Sequence, residues 1–158
     1  MVADDGSQVM FEELNDLYQQ VIMDHSKKPH NFGMLAGANC CARGQNPLCG
    51  DQMQIYLKTE DNIVQDLRWE GDGCAIFKAS SSLMTDSLKG KTREEVKQLF
   101  EEFHALITTG KIAPNHHLGK LEVLSGVNRF PARVKCALLG WRAAMSALEG
   151  DQQPVSTE

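Results

Sequence analysis

The chain has 158 residues, enough for one domain with a substantial core. Hydrophobic residues make up 42% of it and charged residues 23%, an ordinary globular balance, and the net charge of −5 argues against a nucleic-acid binder, which would carry a basic face. No apolar run approaches the ~18 residues of a membrane span, and the acidic start Met1-Val2-Ala3-Asp4-Asp5-Gly6 lacks the regions of a secretory signal, so a cytoplasmic protein is expected. Thiols stay reduced there, and five cysteines then read as metal ligands or reactive groups rather than disulfides.

Residues 1–8 are polar and expected to be loosely held. From Met10 to about His25 the apolar positions Met10, Phe11, Leu14, Leu17, Tyr18, Val21 and Ile22 recur at steps of three and four, which predicts an amphipathic helix. Ser26-Lys27-Lys28-Pro29 ends it, and His25 and His30 near that end suit a dipole or packing role better than metal ligation. Cys40 and Cys41 are adjacent, so on a strand they point to opposite faces and read as incidental small residues. Gln52–Lys58 alternates apolar and polar, the turn Glu60-Asp61-Asn62 follows, and Ile63–Glu70 forms a second strand, which together predict an antiparallel hairpin.

Gly71-Asp72-Gly73-Cys74 reads as a glycine-rich turn leading into a helix over Ala75–Leu88. Cys74 then sits beside unpaired helix N–H groups, which favour a thiolate. The two glycines alone do not make a phosphate-binding loop. Thr92 and Glu95 form a capping box at the head of a helix running to about Thr108, with Val96, Leu99, Phe100, Phe103, Leu106 and Ile107 on its buried face. Residues 109–117 form a polar loop in which His116 and His117 are expected to be exposed. Leu118–Val127 predicts a short helix. Residues 128–131 open the last helix, with Pro131 in its first turn and Cys136 about a turn inside, and the tail from Gly150 is expected to be disordered. The sum is one α+β domain over 1–158, a small antiparallel sheet of about three strands packed against several helices.

Cys49, Cys74 and Cys136 each lie at an element boundary, 25 and 62 positions apart, and Asp51 follows Cys49 across a glycine. No CxxC pair is present, so a ribbon or finger site is not indicated. The three thiols and the carboxylate read either as one tetrahedral zinc site or as scattered buried groups, and by donor chemistry iron or an iron–sulfur cluster is a further alternative.

Several ordered blocks resemble the SufU family, a branch of the IscU/NifU-type proteins of bacterial iron–sulfur cluster assembly. They are Leu17-Tyr18-Gln19-Gln20-Val21-Ile22-Met23-Asp24-His25, Asn46-Pro47-Leu48-Cys49-Gly50-Asp51, Gly71-Asp72-Gly73-Cys74-Ala75-Ile76, Ala79-Ser80-Ser81-Ser82-Leu83-Met84-Thr85, Gly126-Val127 and Phe130-Pro131-Ala132-Arg133-Val134-Lys135-Cys136-Ala137. Two departures separate the chain from the IscU branch. Lys135 stands where that branch has a histidine, and the segment from Phe130 to Lys135 is not its Leu-Pro-Pro-Val-Lys chaperone motif. The long stretch between Cys74 and Cys136 resembles the SufU-type insertion, around residues 109–120.

The resemblance implies that Cys49, Asp51, Cys74 and Cys136 bind Zn2+, with Cys49 as sulfur acceptor and Arg133 and Lys135 on a rim facing the partner. The partner it implies is a PLP-dependent, SufS-like cysteine desulfurase, one of whose histidines replaces Cys49 on zinc, and the sulfur goes on to a downstream iron–sulfur assembly scaffold. A transient iron–sulfur cluster on the same ligands, in a scaffold role, is the alternative. Cys40 and Cys41 match no family block and receive no role.

Overall fold

The hairpin expected between residues 52–58 and 63–70 forms the centre of the computed structural model, which describes residues 16–150 and 155–156. Strand β2 (Asp51–Glu60) and strand β3 (Ile63–Asp72) pair antiparallel through Ile55–Trp69 and Leu57–Leu67. Asp61 and Asn62 turn the chain with φ of 53° and 65°, the left-handed conformation that two-residue hairpin loops require. A register shift at Lys58/Thr59 puts a bulge in β3, so that Val64 and Leu67, three apart, both face inward. Strand β1 (Cys40–Asn46) adds to the free edge of β2, antiparallel, with Asn46 opposite Asp51.

Two sequence expectations change here. The predicted turn at Gly71-Asp72-Gly73 begins later, because Gly71 and Asp72 remain in β3, paired with Met53 and Gln52. The tail is not wholly without structure: Val155 and Ser156 form a short strand β4 beside Gly44 and Gln45, parallel to β1, so the sheet has four strands in the order β3-β2-β1-β4. Residues 1–8 and the first part of the predicted helix, Met10 to Asn15, lie outside the described residues.

The described helices lie on one face of the sheet. The inward residues Ala42, Met53, Ile55, Leu57, Val64, Leu67 and Trp69 are buried, while Cys41, Arg43, Gln45, Gln52, Lys58 and Arg68 on the outer face are exposed. This is the one-sided alternation of an antiparallel sheet with a solvated face. Helix α1 (Asp16–Lys27), α2 (Ala75–Leu88), α3 (Arg93–Thr109) and α4 (Pro131–Glu149) cover the apolar side, with 3-10 turns over Gly119–Arg129 between α3 and α4. The predicted capping box is present: Thr92 Oγ1 accepts from Glu95 N at 3.1 Å, and Glu95 Oε1 accepts from Thr92 N at 2.9 Å. Phe103 of α3 stacks on Trp141 of α4, with ring centroids 4.7 Å apart. Phe100, expected in the core, is only half-buried and lies under the Arg142 guanidinium.

Helix α2 is buried on nearly every side, including Ser80, Ser81 and Ser82. Ser80 Oγ donates to Ala137 O at 2.6 Å, and a β-carbon at Gly140 would stand 2.7 Å from Ser81 Oγ. The small residues therefore let α2 and α4 approach closely. Among the described residues no helix is long and apolar enough to cross a membrane.

Candidate metal centre

The centre is assembled where three pieces of chain end. Strand β1 finishes at Asn46, whose carbonyl accepts from Cys49 N at 3.2 Å and Gly50 N at 2.9 Å, closing the Pro47–Gly50 turn. Gly50 has φ 76°, which glycine adopts without strain. The turn returns the chain into β2 at Asp51, directly across from Asn46. Cys74 is the N-cap of α2, its Sγ accepting from Phe77 N at 3.5 Å. Cys136 lies in the second turn of α4 and is fully buried.

Cys49, Asp51 and Cys136 each offer a donor atom within 4.8 Å of the other two. Cys74 lies beside them, its backbone N–H donating to Asp51 Oδ1 at 2.9 Å, while its thiol falls outside that 4.8 Å group. Of the four residues singled out from the sequence, three bring their donor atoms together and the fourth, Cys74, adjoins them through its backbone. Asp51 is completely buried; its Oδ1 accepts from Cys74 N at 2.9 Å and its Oδ2 from Asn46 Nδ2 at 3.3 Å. Arg133, one turn before Ala137 on α4, brings Nη1 to 4.0 Å from Cys49 Sγ, so it belongs to the site itself. Lys135, next to Cys136 on α4, is half-buried. Cys40 and Cys41 sit at the far end of β1, roughly 20 Å of strand from Asn46.

The electrostatics follow from this crowding. The hydrogen bond with the Cys136 thiol is the largest influence on Cys74 and lowers its pKa to about 6; the Phe77 N–H and Arg133 help, against burial and the charge of Asp51. The same hydrogen bond pushes Cys136 far above the ordinary thiol range, with burial and contacts to Asp51 and Cys49 adding to it. Burial works against the Arg133 guanidinium, yet the surrounding Cys74, Cys136 and Cys49 raise its pKa. Thiols and a carboxylate so close together, with a single guanidinium beside them, make a donor set for a divalent cation. Zinc takes sulfur ligands at about 2.3 Å and oxygen ligands at about 2.0–2.2 Å, which places donors on one ion roughly 3–4 Å apart. A group spanning 4.8 Å needs only a small closure to reach that. The donors present fit the metal.

Two further residues, Asn46 and Gly73, shape the site without being donors. Asn46 is fully buried and donates through Nδ2 to Asp51 and, at 3.5 Å, to Cys136 Sγ, which orients two donors at once. Gly73 reads as turn freedom, but its role is space: a β-carbon there would collide with the Asp51 carboxylate and with Phe77. The clue to Asn46 was its place at a strand end ahead of the Cys-Gly-Asp turn; the role of Gly73 is visible only in three dimensions.

A sheet with one solvated face, three clustered thiol and carboxylate donors with a fourth thiol beside them, and a nearby guanidinium define a small α+β domain with a candidate metal centre. The chain belongs to the NifU-like N-terminal domain family, whose model matches residues 17–149. It is 42% identical over 130 residues to the zinc-dependent sulfurtransferase SufU of Bacillus subtilis (strain 168), covering 82% of this chain and 88% of that one. It is 39% identical over 137 residues to the iron–sulfur cluster assembly scaffold protein IscU of Streptococcus pyogenes serotype M1, covering 87% and 86%. Among solved structures, the N-terminal part of a nitrogen-fixing NifU-like protein from Brucella abortus superimposes with a TM-score of 0.79 at 26% identity, covering 89% of this chain and 96% of that one.

Proposed function

We propose that this protein is a zinc-dependent sulfur acceptor in iron–sulfur cluster assembly, taking persulfide sulfur from a PLP-dependent, SufS-like cysteine desulfurase and passing it to a downstream assembly scaffold. The observation that carries this reading is the unequal exposure of the donors. Asp51 and Cys136 are fully buried, whereas Cys49 is partly exposed on a turn beside Leu48, whose side chain is 65% exposed. Cys74 is also half-buried, but its Sγ is engaged by Phe77 N as a helix cap, which leaves Cys49, on its turn, as the donor a second protein reaches most readily. The B. subtilis relative named a zinc-dependent sulfurtransferase supports the same assignment.

Cys49, Asp51, Cys74 and Cys136 would hold the zinc, which would keep thiols deprotonated at neutral pH. The Cys49 thiolate attacks the outer sulfur of the desulfurase persulfide. The persulfide S–S bond breaks, the desulfurase cysteine leaves as a thiolate, and Cys49 carries the sulfur as a new persulfide. The charge stays balanced because one thiolate is consumed and one released. Arg133, 4.0 Å from Cys49 Sγ, stabilises the anion before attack. Asp51, locked by Asn46 and the Cys74 N–H, keeps its place while Cys49 moves. Lys135 contributes charge to the rim where the partner docks.

Desulfurase turnover measured with and without this protein tests the reading. Wild-type protein accelerates turnover and Cys49→Ala abolishes the acceleration; undiminished acceleration by Cys49→Ala overturns the assignment. The IscU-named relative favours a second reading, a scaffold that builds a cluster on these donors. Purified protein containing iron and sulfide with visible absorbance, in place of zinc, selects it.

A further inference from the structure

His25, His30 and Asp86 form a second cluster of metal-ligating groups. A ring nitrogen of each histidine and a carboxylate oxygen of Asp86 lie within 4.8 Å of one another. The cluster is separate from the first centre: Cys74 caps the start of α2 and Asp86 lies near its end, about 18 Å along the helix at 1.5 Å per residue.

We propose that His25, His30 and Asp86 bind a divalent first-row transition-metal cation, through two imidazoles and one carboxylate, with the remaining positions open to water. That ligand set suits such ions, iron(II) among them, in sites that keep open positions. His30 Nδ1 and Asp86 Oδ2 are 2.6 Å apart, sharing a proton where a cation would sit between them. Two donors on one ion are roughly 3 Å or more apart, so a small separation admits the metal. The His30 and Asp86 side chains are 50% and 37% exposed, which leaves solvent access on one side.

The supporting contacts are already in place. Ser82 Oγ lies 2.6 Å from His25 Nδ1, which fixes the orientation of the ring. The same hydroxyl accepts from His30 N at 2.7 Å. Asn31 Nδ2 donates to Asp86 Oδ1 at 3.1 Å and to Thr85 Oγ1 at 3.0 Å. Trp69 Nε1 donates to His30 O at 3.1 Å, and Trp69 N to Asn31 O at 3.0 Å. The His25 ring and the Asp86 carboxylate are therefore oriented by groups outside the ligand set, as in metal sites whose outer contacts orient the ligands, and His30 is anchored through its backbone. Asp24 and Lys120 are the other charged groups whose fields reach His25. A purely structural His30–Asp86 pair would need neither the inward-facing, buried His25 nor the hydroxyl that orients it. The site stands independently of the sulfur-transfer reading.

The test uses the full chain with its first centre loaded with zinc, titrated with Co2+ by equilibrium dialysis and visible absorption. Wild-type protein takes up one further equivalent, with weak absorption and no sulfur-to-cobalt charge-transfer band. His30→Gln keeps an amide that can hydrogen-bond Asp86 but removes the ring nitrogen, and Asp86→Asn removes the carboxylate. Each weakens the further equivalent by at least about tenfold while zinc content and melting temperature stay near wild type. The proposal is overturned if no further equivalent binds, if it binds both variants as tightly as wild type, or if uptake brings the thiolate charge-transfer band.

Discussion

Gly73 and the Asp51 carboxylate pack so closely that no β-carbon fits between them. Asp51 is fully buried, and Asn46 and the Cys74 N–H hold its two oxygens. It has nowhere to retreat. Gly73→Ala is therefore expected to displace the carboxylate from the donor group. Zinc competition with a colorimetric chelator should show affinity lowered about 10–100-fold, the range for lost supporting contacts. Retention of wild-type affinity would mean that Asp51 is not a ligand.

Asn46 serves two donors through one amide. Asn46→Ala leaves Asp51 Oδ2 and Cys136 Sγ without their shared hydrogen bond. Metal affinity is expected to fall about 10–100-fold. The carbonyl that closes the turn belongs to the backbone and survives the substitution, so the helical signal and hairpin should persist in circular dichroism.

In metal-free protein Cys74 and Cys136 should titrate far apart. The Cys136 hydrogen bond brings Cys74 to about 6, so at pH 7 it is mostly thiolate, whereas Cys136 stays protonated well into the alkaline range. Alkylation followed by peptide mass spectrometry over pH 5–9 should show Cys74 modified with a midpoint near pH 6 and Cys136 untouched. Asp51→Asn should lower the Cys74 midpoint further, because the Asp51 charge opposes ionisation.

His25 gives acid sensitivity of a defined sign. Burial lowers its pKa below 6.5, and the fields of His30 and Lys120 act the same way against those of Asp86 and Asp24. Below pH 6.5 the unfolded chain takes up a proton that the folded chain resists, so stability falls as pH drops from 6.5 and levels off once the folded-state pKa is passed. Chemical denaturation in the presence of EDTA at pH 7.0 and 5.5 should show this loss, and His25→Gln should reduce the difference between the two pH values.

Much of this architecture is written in local pattern. The alternation over 52–58 and 63–70, the Asp-Asn turn and the Thr92–Glu95 box all act within a few residues, and each predicts its element closely. The candidate donors were legible mainly through the family resemblance; their places at element boundaries allow a shared point but also fit scattered buried groups. The rest depends on contacts between segments distant in sequence. Ser82 meets His25 across 57 positions and His30 meets Asp86 across 56, so no periodicity announces either pair. Gly71 looked like part of a turn because composition cannot distinguish a strand that continues past a glycine. The pairing of Val155 with Gly44 likewise depends on where α4 delivers the chain.

Gly140 meets Ser81 at the closest approach of α2 and α4, and the same two helices carry Cys74 and Cys136 at their beginnings. The pair acts as a calliper whose pivot is the glycine–serine contact and whose jaws are the two thiols. Widening the pivot by one methyl group would open the jaws without touching a donor. An ion held between those thiols would therefore feel a residue a full helical turn from Cys136.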